Sequence, residues 1–400
     1  MRIAIIGAGI IGLSLARQIL KSHQNINVTV IDRFSIPSQG TSIRNSGVLH
    51  AGLYYEPDSL KARLCSRGRI LLNEYISNND LPINKCGKLL VPHSNQDLTN
   101  LSAIKLRADQ NGCQTTFIDY NKAVQIQPHI CRRESYLWSP NTFVFSPHSV
   151  LYSIASELSS DSRFTALTAR VDRLSSESPS LYVDNIGFLQ YDYVFNVAGP
   201  EALRLFKSTS SSLDHLRLVP FIGEYGVLKR GPEITTNLYP VPNPDLPFLG
   251  VHVTPRTGSL IPILGPNALP FHKSYINNYL SSDYVELIPR ALTLSAMYLD
   301  NSSNFRQHVH DEFSLSKLNK FRTNTLRFFG ELIHKNIQVS MCPDVYGIRP
   351  QLIDRMTLAT VNDFICVQNS HSCHVVNAVS PAFTSAFAFA EHLVENYLSL

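Results

Sequence analysis

Apolar positions in this chain change period along its length, and the changes mark out the elements. Ile3 to Ile6 form an uninterrupted apolar run, the pattern of a short strand covered on both faces. Apolar residues spaced from Ile10 to Leu20 predict a covered helix, and Val28 to Asp32 predicts a second strand. Strand-like runs recur at Cys86 to Val91, Phe164 to Val171 and Asp192 to Gly199. Helices are expected over Ser59 to Asn79, with Ser59 as its cap, and over Tyr152 to Leu158. From Val219 onward, alternation punctuated by Pro and Gly predicts an antiparallel sheet. Residues 270–340 read as mainly helical, and Phe383, Phe387, Ala390 and Val394 form the core stripe of a closing helix.

Between the first strand and the first helix stand Gly7, Gly9 and Gly12, in G-x-G-x-x-G spacing. The first glycine permits a tight turn, the second lets backbone approach a pyrophosphate, and the third lets helix and sheet pack closely. Asp32 ends the second strand twenty residues after Gly12, where a carboxylate accepts hydrogen bonds from an adenosine ribose. Strand, glycines, helix, strand and acid in this order predict dinucleotide binding without separating NAD from FAD. Instead of another βα unit, a polar loop follows, with Thr41, Ser42, Arg44, Asn45 and Ser46. Its hydroxyl, amide and guanidinium groups suit phosphates and a flavin ring. The apolar stretch Gly47 to Gly52, which carries His50, then argues against a purely solvated loop.

Composition narrows the field. Four hundred residues, 44% hydrophobic and 16% charged, predict a globular protein of two domains. A net charge of +4, spread along the chain, gives no concentrated basic face for nucleic acid. Seven irregularly spaced cysteines fit free thiols in a reducing compartment. A strand starting at residue 3 leaves no room for a signal peptide, and no apolar segment is long enough for a membrane span. A cytoplasmic location is therefore expected, with peripheral association at the inner membrane face left open. Cys366, His371, Cys373 and His374 match no zinc spacing, so no metal is expected. Neither G-x-S-x-G nor a P-loop is present, which removes the common hydrolase and triphosphatase readings.

The stretch from Gly40 through Ser46-Gly-Val-Leu-His-Ala-Gly-Leu-Tyr-Tyr to Cys65 resembles the second signature of the L-2-hydroxyglutarate dehydrogenases/oxidases. These are FAD enzymes of the D-amino-acid-oxidase-like superfamily. Cys86-Gly-Lys-Leu, Phe143 to Ser149, Pro220 to Tyr225, Tyr239 to Thr254, Gly265 to Ala268, Tyr346-Gly-Ile-Arg-Pro350 and His374 to Ser385 resemble the same family. Asp58 stands where the family usually has glycine, Ile222 where it has arginine, and Gly226 where it has a second tyrosine.

The resemblance implies an α/β plus α+β fold, a Rossmann-like FAD-binding domain interleaved with an antiparallel-sheet substrate domain. Residues 1–84, 143–212 and 340–400 are expected in the first, 85–142 and 213–339 in the second. FAD is expected at Gly7, Gly9, Gly12, Asp32, Thr41, Ser42, Arg44, Asn45, Ser46, Val171, Gly199, Ser380, Pro381 and Ala382. The implied reaction takes L-2-hydroxyglutarate, or a close 2-hydroxy acid, to the 2-oxo acid by hydride transfer to flavin N5. Arg349 would pair with the substrate carboxylate, as the planar guanidinium allows. His50 or His252 would take the hydroxyl proton, and His50 is also a candidate to bind or attach the flavin. A quinone, an electron-transfer protein or oxygen would accept the electrons. Two alternatives stay open: an amine or amino-acid oxidase of the same superfamily, and a flavin-binding scaffold whose catalysis is weakened by Ile222. Among the cations of the helix after Ser59 (Lys61, Arg63, Arg67 and Arg69), a solvated face is expected rather than an anion site.

Overall fold

The computed structural model describes residues 1–242, 249–270, 284–301, 303–314 and 316–398. Two large sheets dominate it. The first has six strands in the order Ile365–Asn369, Ser372–Asn377, Tyr193–Asn196, Arg2–Ile6, Asn27–Asp32 and Phe164–Thr168. Its pairs are parallel except the outer hairpin 365–369/372–377. Ile3, Ala4 and Ile5 are fully buried in the central strand, because helices cover one face and a small antiparallel meander covers the other.

Helices Ile10–Ser22, Leu60–Asn78 and Ala382–Tyr397 pack together on this sheet. Leu13, Ala16, Leu72, Ala386, Phe389 and Leu393 meet in their shared core, and the expected stripe Phe387, Ala390 and Val394 lies in it. Helix Leu60–Asn78 begins where expected: the Ser59 hydroxyl accepts the Ala62 N–H at 3.1 Å. The Asp363 carboxylate accepts the N–H groups of Leu60 and Lys61 at 3.1 and 2.8 Å, adding negative charge at that helix N-terminus.

The second sheet has nine strands and is antiparallel except where Lys88–Val91 runs parallel to Asn237–Pro240. Its spine is the ladder between the long strands Leu216–Arg230 and Gln338–Asp354. Beyond it come Ser259–Leu264, Val253–Arg256, Asn237–Pro240, Lys88–Val91, Tyr136–Ser139 and Thr116–Ile118, and the short Leu269–Pro270 pairs with 216–230 as the ninth strand. The chain therefore crosses between the sheets several times, and the expected interleaved architecture of a Rossmann-like unit and an antiparallel sheet is present.

One expected boundary moves. The expected third segment of the FAD-binding domain starts at 340, yet residues 338–354 complete the large sheet, and the chain rejoins the six-stranded sheet only at Ile365. The physical reason is the long register with 216–230, which satisfies the backbone of both strands at once. Helices Tyr284–Asp300, Phe305–Phe313 and Lys317–Leu326 fit the helical reading of 270–340, of which 271–283 lie outside the described residues.

The glycine turn is sterically committed. A β-carbon on Gly12 would lie 1.8 Å from the Gly7 carbonyl oxygen, so strand and helix approach as closely as backbone permits. Gly7 itself has φ of 110°. Gly12→Ala is expected to cost about 1–3 kcal/mol through overpacking, read as a lowered Tm. An unchanged Tm would show that the turn has room to spare.

Candidate active site

A cavity of about 500 Å³ opens between the two sheets, within the usual size range of cofactor and ligand sites. The structure brings to its wall Gly7, Gly9, Asp32, Thr41, Ser42, Arg44, Asn45, Ser46, Val171, Gly199, Ser380, Pro381 and Ala382. His50, His252 and Arg349 line the same cavity. Of the residues expected from sequence to hold FAD or act on the substrate, Gly12 alone is not at the wall. It packs the turn behind it.

At one end the groups are arranged by backbone hydrogen bonds. The two oxygens of Asp32 accept the N–H groups of Ala8 and Phe34, each at 2.8 Å, which ties the carboxylate to the glycine turn. A carboxylate has about four lone-pair sites, so acceptor capacity remains for a ligand. Ser42 Oγ accepts the Ile10 N–H at 3.0 Å in the first turn of the helix. Asn45 shapes its own loop: its amide donates to the Ser42 carbonyl at 2.7 Å and its oxygen accepts the Gly47 N–H at 2.9 Å. Helix Ala382–Tyr397 starts at the wall with Pro381 as its cap residue, so its positive end faces the cavity.

The other end carries the ionisable groups. Arg349 sits on strand Gln338–Asp354, opposite Phe221. Burial lowers its pKa, while Tyr225, Tyr239 and Glu312 act in the opposite direction. His252 is 4% exposed and stacks on Tyr239, with ring centroids 4.0 Å apart. Its Nδ1 lies 3.2 Å from the Gly250 carbonyl oxygen. A carbonyl only accepts, so Nδ1 carries the proton and Nε2 carries the lone pair. That Nε2 is buried and has no hydrogen-bond partner among the described residues.

Burial, opposed by the Gly250 hydrogen bond and assisted by Arg349 and Lys88, pushes the His252 pKa down to about 3. Burial pushes His50 down to about 3 as well, with Lys88, His252 and Arg349 acting in the same sense. The His50 backbone N–H donates to Thr384 Oγ1 at 3.1 Å, fastening the signature stretch to the first turn of the closing helix.

Sequence reasoning missed several wall residues. Tyr54, Tyr55, Tyr225, Tyr239 and Thr384 line the cavity. The Tyr-Tyr pair inside the signature was the available signal for the first two. Lys61 also lines the wall, with its ammonium 5.3 Å from the Tyr55 ring centroid, and burial takes its pKa down to about 8. The expectation of a solvated face holds for exposed Arg63 and Arg67 but not for Lys61, whose helix start is drawn to the cavity by Asp363.

Ile222 is 1% exposed and packs with Leu269, Ile348 and Phe34, behind the wall and outside the cavity lining. A β-carbon on Gly226 would lie 3.1 Å from the Ser340 carbonyl oxygen. His374 is fully buried; Nδ1 lies 3.1 Å from Asn196 Nδ2, and Nε2 lies 2.8 Å from Ser372 Oγ. It joins neighbouring strands, and the described residues contain no group of three or more potential metal ligands.

The model of the FAD dependent oxidoreductase family matches residues 2–396. The chain belongs to that family. A protein named L-2-hydroxyglutarate dehydrogenase, mitochondrial, from Caenorhabditis briggsae is 31% identical, covering 99% of this chain and 93% of its own length. The human protein of that name is 29% identical, covering 97% and 86%. The Escherichia coli (strain K12) L-2-hydroxyglutarate dehydrogenase is 26% identical, covering 99% and 93%. Among solved structures, the fold matches the dithionite-reduced L-alpha-glycerophosphate oxidase of Mycoplasma pneumoniae with FAD bound, at a TM-score of 0.73 and 19% identity. That match covers 98% of this chain and 94% of the other. Glycine oxidase from Geobacillus kaustophilus matches at 0.71 and 14%, covering 98% and 94%.

FAD is the cofactor of this family member, and the enzyme is an oxidoreductase. No helix among the described residues is long and apolar enough to cross a membrane. The expected cytoplasmic location gains no support, since the animal relatives are named mitochondrial.

The buried histidines have a consequence for stability. Their folded pKa values lie below the ordinary 6.5, so the unfolded chain takes up protons first as pH falls. Their stabilising contribution is full above pH 6.5 and is lost as pH drops toward about 3. Tm measured from pH 7.5 down to 4.5 should therefore fall. The double substitution His50→Gln, His252→Gln should flatten part of that slope, and an identical slope would place the proton uptake elsewhere.

Proposed function

We propose that this protein oxidises L-2-hydroxyglutarate, or a close 2-hydroxy acid, to the 2-oxo acid. The family match and the full-length relatives of that name support the reaction, and the cavity supplies groups suited to it. The single observation that carries the assignment of roles is the buried, unpartnered Nε2 of His252 at a wall shared with Arg349.

When bound, FAD supplies the two-electron acceptor for carbon C2. Asp32, the glycine turn, the 41–46 loop, Val171, Gly199 and residues 380–382 would hold it, and their donors and acceptors suit a ribose, a pyrophosphate and a flavin ring. The first turn of helix Ala382–Tyr397 would place positive charge where the reduced ring becomes negative.

Arg349 would receive the C1 carboxylate through two parallel N–H donors, which fixes C2 and its hydroxyl. His252 would then accept the hydroxyl proton at Nε2. Its Nδ1–H is engaged by Gly250, so the ring presents a lone pair without first changing tautomer. A pKa near 3 keeps the imidazole neutral before substrate arrives, and the carboxylate favours its protonation once bound. His50 shares the neutral state and stands second for the base. Tyr225 and Tyr239, both buried at the wall, would keep bulk water from the reacting centre.

The electrons would leave to a quinone, an electron-transfer protein or oxygen. Seven free thiols suit a reducing compartment, which describes the mitochondrial matrix as well as the cytoplasm.

Anaerobic addition of L-2-hydroxyglutarate should bleach the flavin absorbance of the purified protein, whereas glycine or other amino acids should not. The reverse pattern would assign it to the amino-acid oxidases, and no bleaching by any of them would favour a flavin-binding scaffold. His252→Asn should lower kcat by about 10²–10⁴-fold with FAD retained. Arg349→Lys should raise KM sharply with FAD still bound. A larger kcat loss for His50→Asn than for His252→Asn would exchange their roles.

A further inference from the structure

Lys88 is one of the largest fully buried side chains, at 1% exposure, and among the described residues no carboxylate acts on it. Its ammonium lies 4.7 Å from the Tyr54 ring centroid and 4.8 Å from that of Tyr239, and donates to Tyr54 Oη at 3.2 Å. The groups that favour its charged form are Cys65 and Cys113. Both thiols are kept protonated by burial, and they donate to the carbonyls of His50 and Ala51. Burying a cation with no anion beside it among the described residues is costly; burial takes the Lys88 pKa down to about 7, and the side chain stands directly behind the cavity wall formed by Tyr54 and Tyr239. Lys61, the other lysine here, is different, because the Asp363 carboxylate acts on it.

The sheet order gives the position meaning. Arg349 stands on strand 338–354 and Lys88 on strand 88–91, with His252, just before strand Val253–Arg256, between them in the order. Both cations act on His252 and on His50. Tyr54 lines the cavity whereas Lys88 does not. Since the Tyr54 oxygen accepts from the ammonium, its own O–H is left to donate elsewhere. Burial holds that phenol in its protonated form.

We propose that Lys88, acting through the Tyr54 hydroxyl, reads a second carboxylate on the substrate, so that the site selects a dicarboxylate spanning from Arg349 past the histidines to Tyr54. This rests on the 2-hydroxy acid reading above and deepens it. Lys88 is a positioning residue: it polarises and orients Tyr54, and the incoming dianion supplies the negative charge that no described residue gives the buried ammonium. Tyr54 makes the contact.

The test uses FAD-loaded protein and two acids that carry no hydroxyl to oxidise, glutarate and pentanoate, with binding read from the perturbed flavin spectrum. Wild type should bind glutarate at least about 10-fold more tightly than pentanoate, a factor expected from one charge-assisted contact. Tyr54→Phe and Lys88→Met should each bring that ratio close to one by weakening glutarate, with pentanoate affinity within about twofold of wild type. Lys88→Arg should restore part of the preference, which a purely structural role for the lysine would not predict.

Equal loss of both acids would overturn the proposal, as would a dicarboxylate preference that survives in Tyr54→Phe, or a wild type with no preference at all. Bleaching of the wild-type flavin by L-2-hydroxyglutarate is scored separately. Its absence would defeat the proposed reaction, while the two titrations would still decide what Lys88 and Tyr54 do.

Discussion

Strand 338–354 and the loop of residues 41–46 touch backbone to backbone, and the site depends on that contact. A β-carbon on Gly347 would lie 2.5 Å from the Arg44 carbonyl oxygen, so the large sheet meets the polar loop at a distance no other residue would allow. Two residues later the same strand carries Arg349. The spacing from Gly347 to Arg349 thus couples the closeness of the sheets to the placing of a guanidinium at the cavity wall. The long ladder with 216–230 makes that coupling rigid, since a slip of one residue would turn Arg349 to the opposite face.

Electrostatics inside the cavity follow from this enclosure. Two sheets meeting closely bury the histidines, lysines and phenols at the substrate end, and burial acts on each of these groups in the direction of its neutral form. Both histidines lose their protons, Lys61 and Lys88 are shifted down, and the phenols are shifted up. Arg349 stays charged because a guanidinium is too basic to yield. The result is a site with neutral bases and an excess of positive charge, suited to an anionic substrate that must surrender a hydroxyl proton. The same desolvation that prepares the histidines weakens the fold in acid, so stability and chemistry draw on one physical cause.

The departure at Ile222 loses its force in three dimensions. In the linear pattern, the missing arginine suggested a weakened anion site. In the fold, Ile222 lies in an apolar cluster with Ile348 and Leu269, behind the wall that Arg349 occupies. Lys61 shows the opposite case: one of four cations on a helix that reads as solvated, it is turned to the cavity because Asp363 holds the helix N-terminus there.

The nucleotide end was legible in the sequence because its residues act locally. Gly7, Gly12 and the apolar run beside them serve one turn, and backbone sterics over a dozen residues dictate both the types and the spacing. Only the tertiary structure decided the other end. His50, Tyr54, Lys88, His252 and Arg349 come from distant segments of chain, and nothing in their local sequence states which ring nitrogen is engaged or which cation is buried against aromatic rings. The 338–354 strand illustrates the same limit. Its position beside closing flavin-side segments suggested one sheet, whereas hydrogen-bond register with residues more than a hundred positions earlier placed it in the other. Local patterns record what neighbours along the chain impose. Partnership between remote strands is settled by which backbones satisfy one another when the core closes.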